Sequence, residues 1–127
     1  MKKKVMIVDD EPDLLKILKL NLEDTNQYEV MTLSDARGII KEVHRFKPDV
    51  ISLDLTMPHI GGQEVCEMLK NDPICRKTPV VLMTADEDQA NKIKRDNPHV
   101  VDYLIKPVDK ASIIRMIEKV TGLSLDR

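Results

Sequence analysis

Aromatic residues are scarce in this chain: its 127 residues include no Trp, one Phe and two Tyr. The core must therefore be filled by Val, Ile, Leu and Met, and an aromatic platform for stacking nucleic-acid bases is excluded. An excess of basic residues is also missing, because the formal net charge is -2. The only basic run, residues 2–4, flanks the first strand-like segment and is interpreted as a solvated strand start. We therefore expect no direct contact with nucleic acid.

Long hydrophobic runs are missing as well, and none approaches the length of a membrane span. The first apolar run breaks at Asp9, too early for the core of a signal peptide. The two cysteines, Cys66 and Cys75, follow neither CxxC nor zinc-ligand spacing, and Cys66 lies at an apolar helix position typical of a buried thiol. We expect a reduced, cytoplasmic protein without membrane contact, folded as a single domain over residues 1–127.

Strand-like and helix-like segments alternate along the chain, five of each, without an internal repeat or linker. The strands are predicted at about 4–9, 28–33, 50–55, 80–84 and 100–105. Pro12 fits the first turn of the first helix, Ser34 is the expected N-cap of a second helix to about Phe46, and Asp109 and Gly122 are expected to bound the last helix. The third and fourth helices are predicted around residues 65–69 and 86–96. This alternation predicts an α/β fold with a parallel sheet covered on both faces.

A flavodoxin-like strand order, 2-1-3-4-5, would place the first and third strands side by side where the winding reverses. Four strands end on reactive polar residues, namely Asp9-Asp10, Asp54, Thr84 and Lys106. Because the ends of parallel strands meet at one edge of the sheet, these side chains are predicted to share one crevice. Ligands of open α/β sheets bind at that edge.

The three carboxylates repel one another unless they bind protons or a cation. Oxygen ligands of this kind suit Mg²⁺, which takes one or two carboxylates and phosphate oxygens while keeping several waters. A simpler alternative is that Asp9 and Asp10 cap the first helix and favour its positive end. A helix cap requires only one Asp, whereas two adjacent Asp residues end this buried strand. Metal binding is therefore the preferred interpretation, although one of the two could also serve as a cap.

Asp54 ends the strand that should be central in the sheet. A carboxylate there can attack phosphorus and form an aspartyl phosphate, with Mg²⁺ neutralising the groups in line. Lys106 can supply a mobile positive charge for the phosphoryl oxygens, and Thr84 a hydroxyl that donates to one of them. Each residue also has an ordinary explanation, as a turn Asp, a β-propensity Thr or a solvated Lys beside Pro107. Their joint occurrence at strand ends favours the phosphoryl site.

The motifs VDDEP, SLDLTMPHIGG, MTA and DYLIKP, in this order and spacing, resemble those of the response regulator receiver domains of two-component signalling, the CheY-like superfamily. The resemblance covers essentially the whole chain. It implies a CheY-like doubly wound (βα)₅ fold whose Asp54 accepts a phosphoryl group from a histidine kinase. It also implies that Mg²⁺ is bound by Asp10 directly, by Asp9 through water or as a second ligand, and by the carbonyl of Thr56.

Further roles are implied only by this resemblance. Thr84 and Tyr103 would form a switch pair, Lys106 and Pro107 a cis peptide, and Thr56 and Asp86 would tune the lifetime of the acyl phosphate. The switch would alter a surface made of the fourth helix, fifth strand and fifth helix, which could also support self-association. The partners would be a sensor histidine kinase or phosphotransfer protein and a downstream protein target or output domain. We expect no output domain within this chain.

The sequence departs from the family pattern at three places: His99-Val100 replaces a usual Gly-Ala pair, Gly61 stands where Asp is common, and Val108 where Phe is frequent. A pseudo-receiver that binds partners without phosphorylation is one alternative, against which the retained Asp54, Asp10, Thr84 and Lys106 argue. A haloacid-dehalogenase-type phosphatase is another. That class needs an Asp-x-Asp motif after the first strand, which Asp9-Asp10-Glu11 does not supply, and a substrate-covering cap could not fit in this length.

Overall fold

The fold is described from a computed structural model, which defines residues 2–122. Over this range the strands are β1 (Lys3–Val8), β2 (Tyr28–Leu33), β3 (Val50–Asp54), β4 (Val80–Thr84) and β5 (Val100–Ile105). They form one parallel sheet in the order β2-β1-β3-β4-β5. The predicted flavodoxin-like order is therefore confirmed.

The helices alternate with the strands, as the apolar periodicity predicts. They are α1 (Pro12–Glu23), α2 (Ile39–Phe46), α3 (Gly62–Lys70), α4 (Glu87–Asp96) and α5 (Lys110–Thr121), with a short 3₁₀ helix at Cys75–Lys77 before β4. The Asp109 side chain caps α5 by accepting the Ser112 N–H, and Gly122 ends it at a φ of 76°. The 3₁₀ helix was not predicted. None of the helices within residues 2–122 is long and apolar enough to cross a membrane.

The predicted start of the second helix at Ser34 is wrong, because α2 begins at Ile39. The Asp35 carboxylate accepts the backbone N–H of Arg37 at 2.8 Å, forming a local turn. Gly38 then adopts a left-handed φ of 80°, which interrupts any helix running back towards Ser34. The chain therefore turns once more before α2 starts.

The core has two layers, one on each face of the sheet, because alternate residues of a strand point to opposite faces. In β1, Met6 and Val8 join the layer covered by α2, α3 and α4, whereas Val5 and Ile7 join the layer covered by α1 and α5. All residues of the central strands β3 and β4 are buried. As predicted, the Cys66 side chain is buried, and it lies in the first layer.

Candidate phosphoryl and magnesium site

The ends of β1 and β3 lie side by side, because the register pairs Val8 with Leu53. Asp9 and Asp54 follow directly on these positions. Ligand atoms of Asp9, Asp10 and Asp54 all lie within 4.8 Å of one another. The predicted gathering of carboxylates at this edge of the sheet is present in the structure.

The three carboxylates differ in their environment. Asp9 and Asp54 are each 2% exposed, whereas Asp10 is exposed. Burial, with the negative charge of Asp54 adding, raises the pKa of Asp9, although the Glu11 N–H and Lys106 oppose the shift. The Asp9 carboxylate accepts the N–H of Glu11 at 2.9 Å, and Glu11 itself is the N-cap residue of α1. Asp9 thus orients the chain entering α1 without being its N-cap.

Lys106 lies opposite Asp54 across the crevice. Its Nζ donates to Asp54 Oδ1 at 2.8 Å, and the N–H of Thr56 donates to the same oxygen at 3.0 Å. Burial lowers the pKa of Lys106, but the hydrogen bond and charge of Asp54 outweigh it, so the net pKa is raised. Lys106 is therefore a cation at neutral pH, beside a buried carboxylate. The peptide bond between Lys106 and Pro107 is cis.

Thr84 ends β4 with its side chain buried, and in this structure its hydroxyl is engaged by α4. Thr84 Oγ1 donates to Gln89 Oε1 at 3.3 Å and accepts the N–H of Asp86 at 3.1 Å. Asp86 in turn caps α4 by accepting the N–H of Gln89. Asp86 is exposed, as is Thr56. Through these two bonds the last residue of β4 is connected to the loop residue Asp86 and to the first turn of α4.

Tyr103 lies on β5 beside α4. Its hydroxyl donates to Asn91 Oδ1 at 2.9 Å and to Glu87 Oε2 at 3.2 Å, and the ammonium of Lys94 is 5.9 Å from the ring centre. The ring is partly buried against the α2–α3–α4 layer. Both Thr84 and Tyr103 therefore make their side-chain hydrogen bonds to α4.

A cavity of about 240 Å³ borders the acidic cluster. Its polar wall is formed by Asp9, Glu11 and Lys106, and its apolar wall includes Leu14 and Val108. The donor set of three carboxylates, two of them buried, fits a hard divalent cation such as Mg²⁺. Asp9, Asp10 and Asp54 are the side chains that would hold it.

The hydrogen-bond partners Gln89, Glu87 and Asn91 were not identified from the sequence. The position of Gln89 could have been predicted from the sequence. Gln89 follows the helix cap Asp86 by three residues, which places it on the first turn of α4, near the end of β4. Gly62 was also missed as a packing residue. A Cβ on Gly62 would lie 2.7 Å from the Leu55 Cα, so α3 can approach the end of β3 only with glycine there.

Residues 5–118 match the response regulator receiver domain family. Among curated proteins, the chain is 35% identical over 107 residues to the alkaline phosphatase synthesis transcriptional regulatory protein PhoP of Bacillus subtilis, covering 84% of this chain and 43% of PhoP. It is 33% identical over 125 residues to the response regulator PleD of Caulobacter vibrioides, covering 98% of this chain and 27% of PleD. The chain thus spans less than half the length of these relatives.

Solved structures share the fold at lower sequence identity. The chemotaxis response regulator CheY4 of Vibrio cholerae superposes with a TM-score of 0.81 at 23% identity, covering 94% of this chain and 99% of CheY4. The receiver domain of the sensor histidine kinase PA1611 from Pseudomonas aeruginosa, solved with a magnesium ion coordinated in its active-site cleft, has a TM-score of 0.75 at 22% identity, covering 96% of this chain and 99% of that domain. These likenesses establish the CheY-like fold.

Proposed function

We propose that this chain, which belongs to the response regulator receiver domain family, is a phosphorylation-operated switch with Asp54 as the phosphoacceptor. The observation that carries the proposal is the environment of Asp54. Its buried carboxylate ends the central strand, and the same oxygen accepts from the Lys106 ammonium and the Thr56 N–H. A nucleophilic carboxylate beside a mobile cation is the arrangement that phosphoryl transfer requires.

The phosphodonor we propose is the phosphohistidine of a sensor histidine kinase or phosphotransfer protein. A carboxylate oxygen of Asp54 attacks phosphorus while the P–N bond breaks, and the departing imidazole keeps the bonding electron pair. Lys106 then moves its hydrogen bond from Asp54 to an oxygen of the transferred group. Attack of water on the same phosphorus returns Asp54 and releases inorganic phosphate.

Magnesium is the cofactor we propose for this reaction. Asp10 would bind it directly, Asp9 through water or as a second ligand, and Asp54 and the Thr56 carbonyl would complete the protein's share. When bound, Mg²⁺ neutralises the phosphoryl oxygens and aligns the group with Asp54. The acidic cluster supports this assignment, because its ligand atoms converge within 4.8 Å.

Thr56 and Asp86, both exposed near the crevice, are proposed to tune the acyl-phosphate lifetime by their effect on water access.

The proposed output is a change in the surface formed by α4, β5 and α5. A phosphoryl group on Asp54 attracts the Thr84 hydroxyl, which must leave Gln89 and draw the β4–α4 loop inward. Tyr103 then turns towards the vacated space and leaves Glu87 and Asn91. This surface would contact a downstream target or output domain, or a second copy of the chain.

The free cysteines Cys66 and Cys75 fit a reducing, cytoplasmic compartment.

Intact-mass analysis after incubation with Mg²⁺ and acetyl phosphate tests the proposal. Wild type should gain one phosphoryl group, Asp54→Asn should gain none, and Asp24→Asn, at an exposed position outside the crevice, should behave as wild type. Omission of Mg²⁺ should abolish the gain. An unmodified wild type, under conditions that label a control receiver domain, would contradict the proposal, and so would equal labelling of Asp54→Asn.

A further inference from the structure

A second cluster of metal-ligating side chains lies away from the acidic crevice. Ligand atoms of His44, Asp72 and Cys75 are all within 4.8 Å of one another. His44 is in the last turn of α2, Asp72 follows α3, and Cys75 begins the 3₁₀ helix. Because these segments lead into β3 and β4, the cluster is at the edge of the sheet opposite Asp54.

We propose that His44, Asp72 and Cys75 form a three-ligand zinc site that ties α2 to the 3₁₀ helix. The donors are an imidazole nitrogen, a carboxylate oxygen and a thiolate sulfur, which are the three kinds of ligand that Zn²⁺ takes in proteins. In a tetrahedral zinc site, neighbouring ligand atoms lie about 3.3 to 3.8 Å apart. The observed separations, at most 4.8 Å, therefore need to contract by no more than about 1.5 Å, and the 2.8 Å between His44 Nε2 and Asp72 Oδ2 needs to open by about 0.5 Å.

Two of the three ligands are already oriented. His44 Nε2 lies 2.8 Å from Asp72 Oδ2, and that oxygen also accepts the N–H groups of Ile74 at 3.0 Å and Cys75 at 2.9 Å. The two backbone N–H groups stabilise the charged form of the Asp72 carboxylate. Backbone donors of this kind orient a ligating carboxylate and support metal affinity.

A simpler explanation covers part of the cluster: Asp72 caps the start of the 3₁₀ helix and pairs with His44. That explanation uses the thiol only as a hydrogen-bond donor to Asp72. Cys75 is fully buried, and its ligand atom lies within 4.8 Å of those of Asp72 and His44. A divalent cation bound by the three side chains would replace the hydrogen bond from the Cys75 thiol to Asp72, and the thiol proton would be released to solvent.

The fourth position of the site would be open to water. The His44 side chain is 40% exposed and that of Asp72 is 18% exposed, so a metal can enter from the solvent side. Cys75 would close the site from the protein side. One zinc ion would then link two segments that are separated by 28 residues in sequence at His44 and Asp72.

Titration with Zn²⁺ against a colorimetric chelator, in excess Mg²⁺, tests the site on the full chain. Wild type should bind one Zn²⁺, and both Cys75→Ala and His44→Gln should bind it at least about tenfold more weakly. The matched controls are Cys66→Ala, at the other buried thiol, and His59→Gln, at an exposed histidine. Both controls should retain wild-type affinity, as should Asp54→Asn, because the site is independent of the proposed phosphoacceptor.

Co²⁺ provides a readout that the oxygen ligands of the acidic crevice cannot give. A thiolate-to-cobalt charge-transfer band should appear in wild type and Cys66→Ala and be missing in Cys75→Ala. If Cys75→Ala does not fold, the zinc titration of the surface variant His44→Gln tests the site in its place. Absence of stoichiometric Zn²⁺ binding in wild type, or equal affinity across the Cys75, His44, Cys66 and His59 variants, would overturn the proposal.

Discussion

The Lys106 ammonium donates to Asp54 Oδ1 at 2.8 Å, with the Asp54 side chain almost fully buried and Lys106 about one-third exposed. Among residues 2–122, Lys106 is the only ion-pair partner of Asp54. The ammonium is on the exposed side of the pair, so it can follow a phosphoryl group that enters from solvent. Asp54 cannot move in the same way, because its oxygen is also fixed by the Thr56 N–H.

We therefore expect Lys106→Met, which keeps side-chain length but removes the charge, to slow phosphorylation of Asp54 by about 10²-fold, the effect of losing one preorganised donor. The measurement is the rate of phosphoryl gain by intact mass with acetyl phosphate and Mg²⁺. Lys110→Met, at an exposed position at the start of α5, is the matched control and should react at the wild-type rate. Equal rates for the two variants would show that Lys106 does not contribute to phosphorylation of Asp54.

The Thr84 hydroxyl donates to Gln89 Oε1 at 3.3 Å, so in the proposed switch Gln89 would compete with the phosphoryl group for this hydroxyl. Replacing Gln89 with Ala deletes one neutral hydrogen bond and leaves the backbone N–H that the Asp86 cap accepts. We expect the ratio of phosphorylated to unphosphorylated protein, at a limiting acetyl phosphate concentration, to increase about 2- to 10-fold, as the loss of one such bond allows. Gln63→Ala, at an exposed position of α3, should leave the ratio unchanged. A wild-type ratio in Gln89→Ala would show that this bond does not restrain the switch.

Tyr103 should report the switch directly, with Tyr28 as an internal control in the same molecule. Tyr28 is fully buried, and its hydroxyl lies 2.9 Å from the Thr121 hydroxyl. In fluorotyrosine-labelled protein, adding beryllofluoride and Mg²⁺ should shift the fluorine resonance of Tyr103 while that of Tyr28 stays in place. The shift should be missing in Asp54→Asn. A stationary Tyr103 resonance in wild type would contradict the coupling between Thr84 and Tyr103.

The sheet and the convergence of the candidate site residues at one edge could be predicted because the strand ends are marked by local sequence. Short apolar runs ending in Asp54, Thr84 or Lys106 fix where a strand stops, and the parallel order then brings those ends to one edge. Ser34 misled the prediction because it has the chemistry of an N-cap, whereas the turn at Asp35 and the left-handed Gly38 decide where α2 starts.

Contacts between distant segments could not be predicted in the same way. His44 and Asp72 are 28 residues apart, and no spacing rule relates them to Cys75. The fold brings them together because α2 and the 3₁₀ helix precede neighbouring strands. The partner of the Thr84 hydroxyl likewise depends on the placement of one Gln89 side chain, which helix periodicity does not determine.

His99 should make stability depend on pH. Burial, with the charge of Lys70 adding, lowers the pKa of His99 from 6.5, and neither ring nitrogen finds a hydrogen-bond partner within residues 2–122. As pH falls below 6.5, the unfolded chain binds a proton that the folded chain does not, so the folded state loses stability until its own lower pKa is reached. At higher pH both states are neutral and this contribution to pH dependence vanishes.

The free energy of unfolding in urea should therefore fall between pH 7 and pH 5 more steeply in wild type than in His99→Leu. Comparing slopes separates this effect from any change in absolute stability that the new side chain causes. Parallel curves for wild type and His99→Leu would show that His99 does not carry the pH dependence.

Gly62 and Gly61 offer a matched pair for testing how closely α3 approaches β3. A Cβ on Gly62 would lie 2.7 Å from the Leu55 Cα, and backbone at that distance cannot move aside without shifting the end of β3. We expect Gly62→Ala to lower the free energy of unfolding by about 1 to 3 kcal/mol, the range for overpacking. Gly61 has open space around its Cα and an ordinary φ of -69°, so Gly61→Ala should be neutral or stabilise by about 0.4 to 1 kcal/mol.

Because Leu55 directly follows Asp54, Gly62→Ala should also slow phosphoryl gain, whereas Gly61→Ala should not. Equal stabilities of the two variants in urea unfolding would show that the α3–β3 contact is looser than the structure indicates.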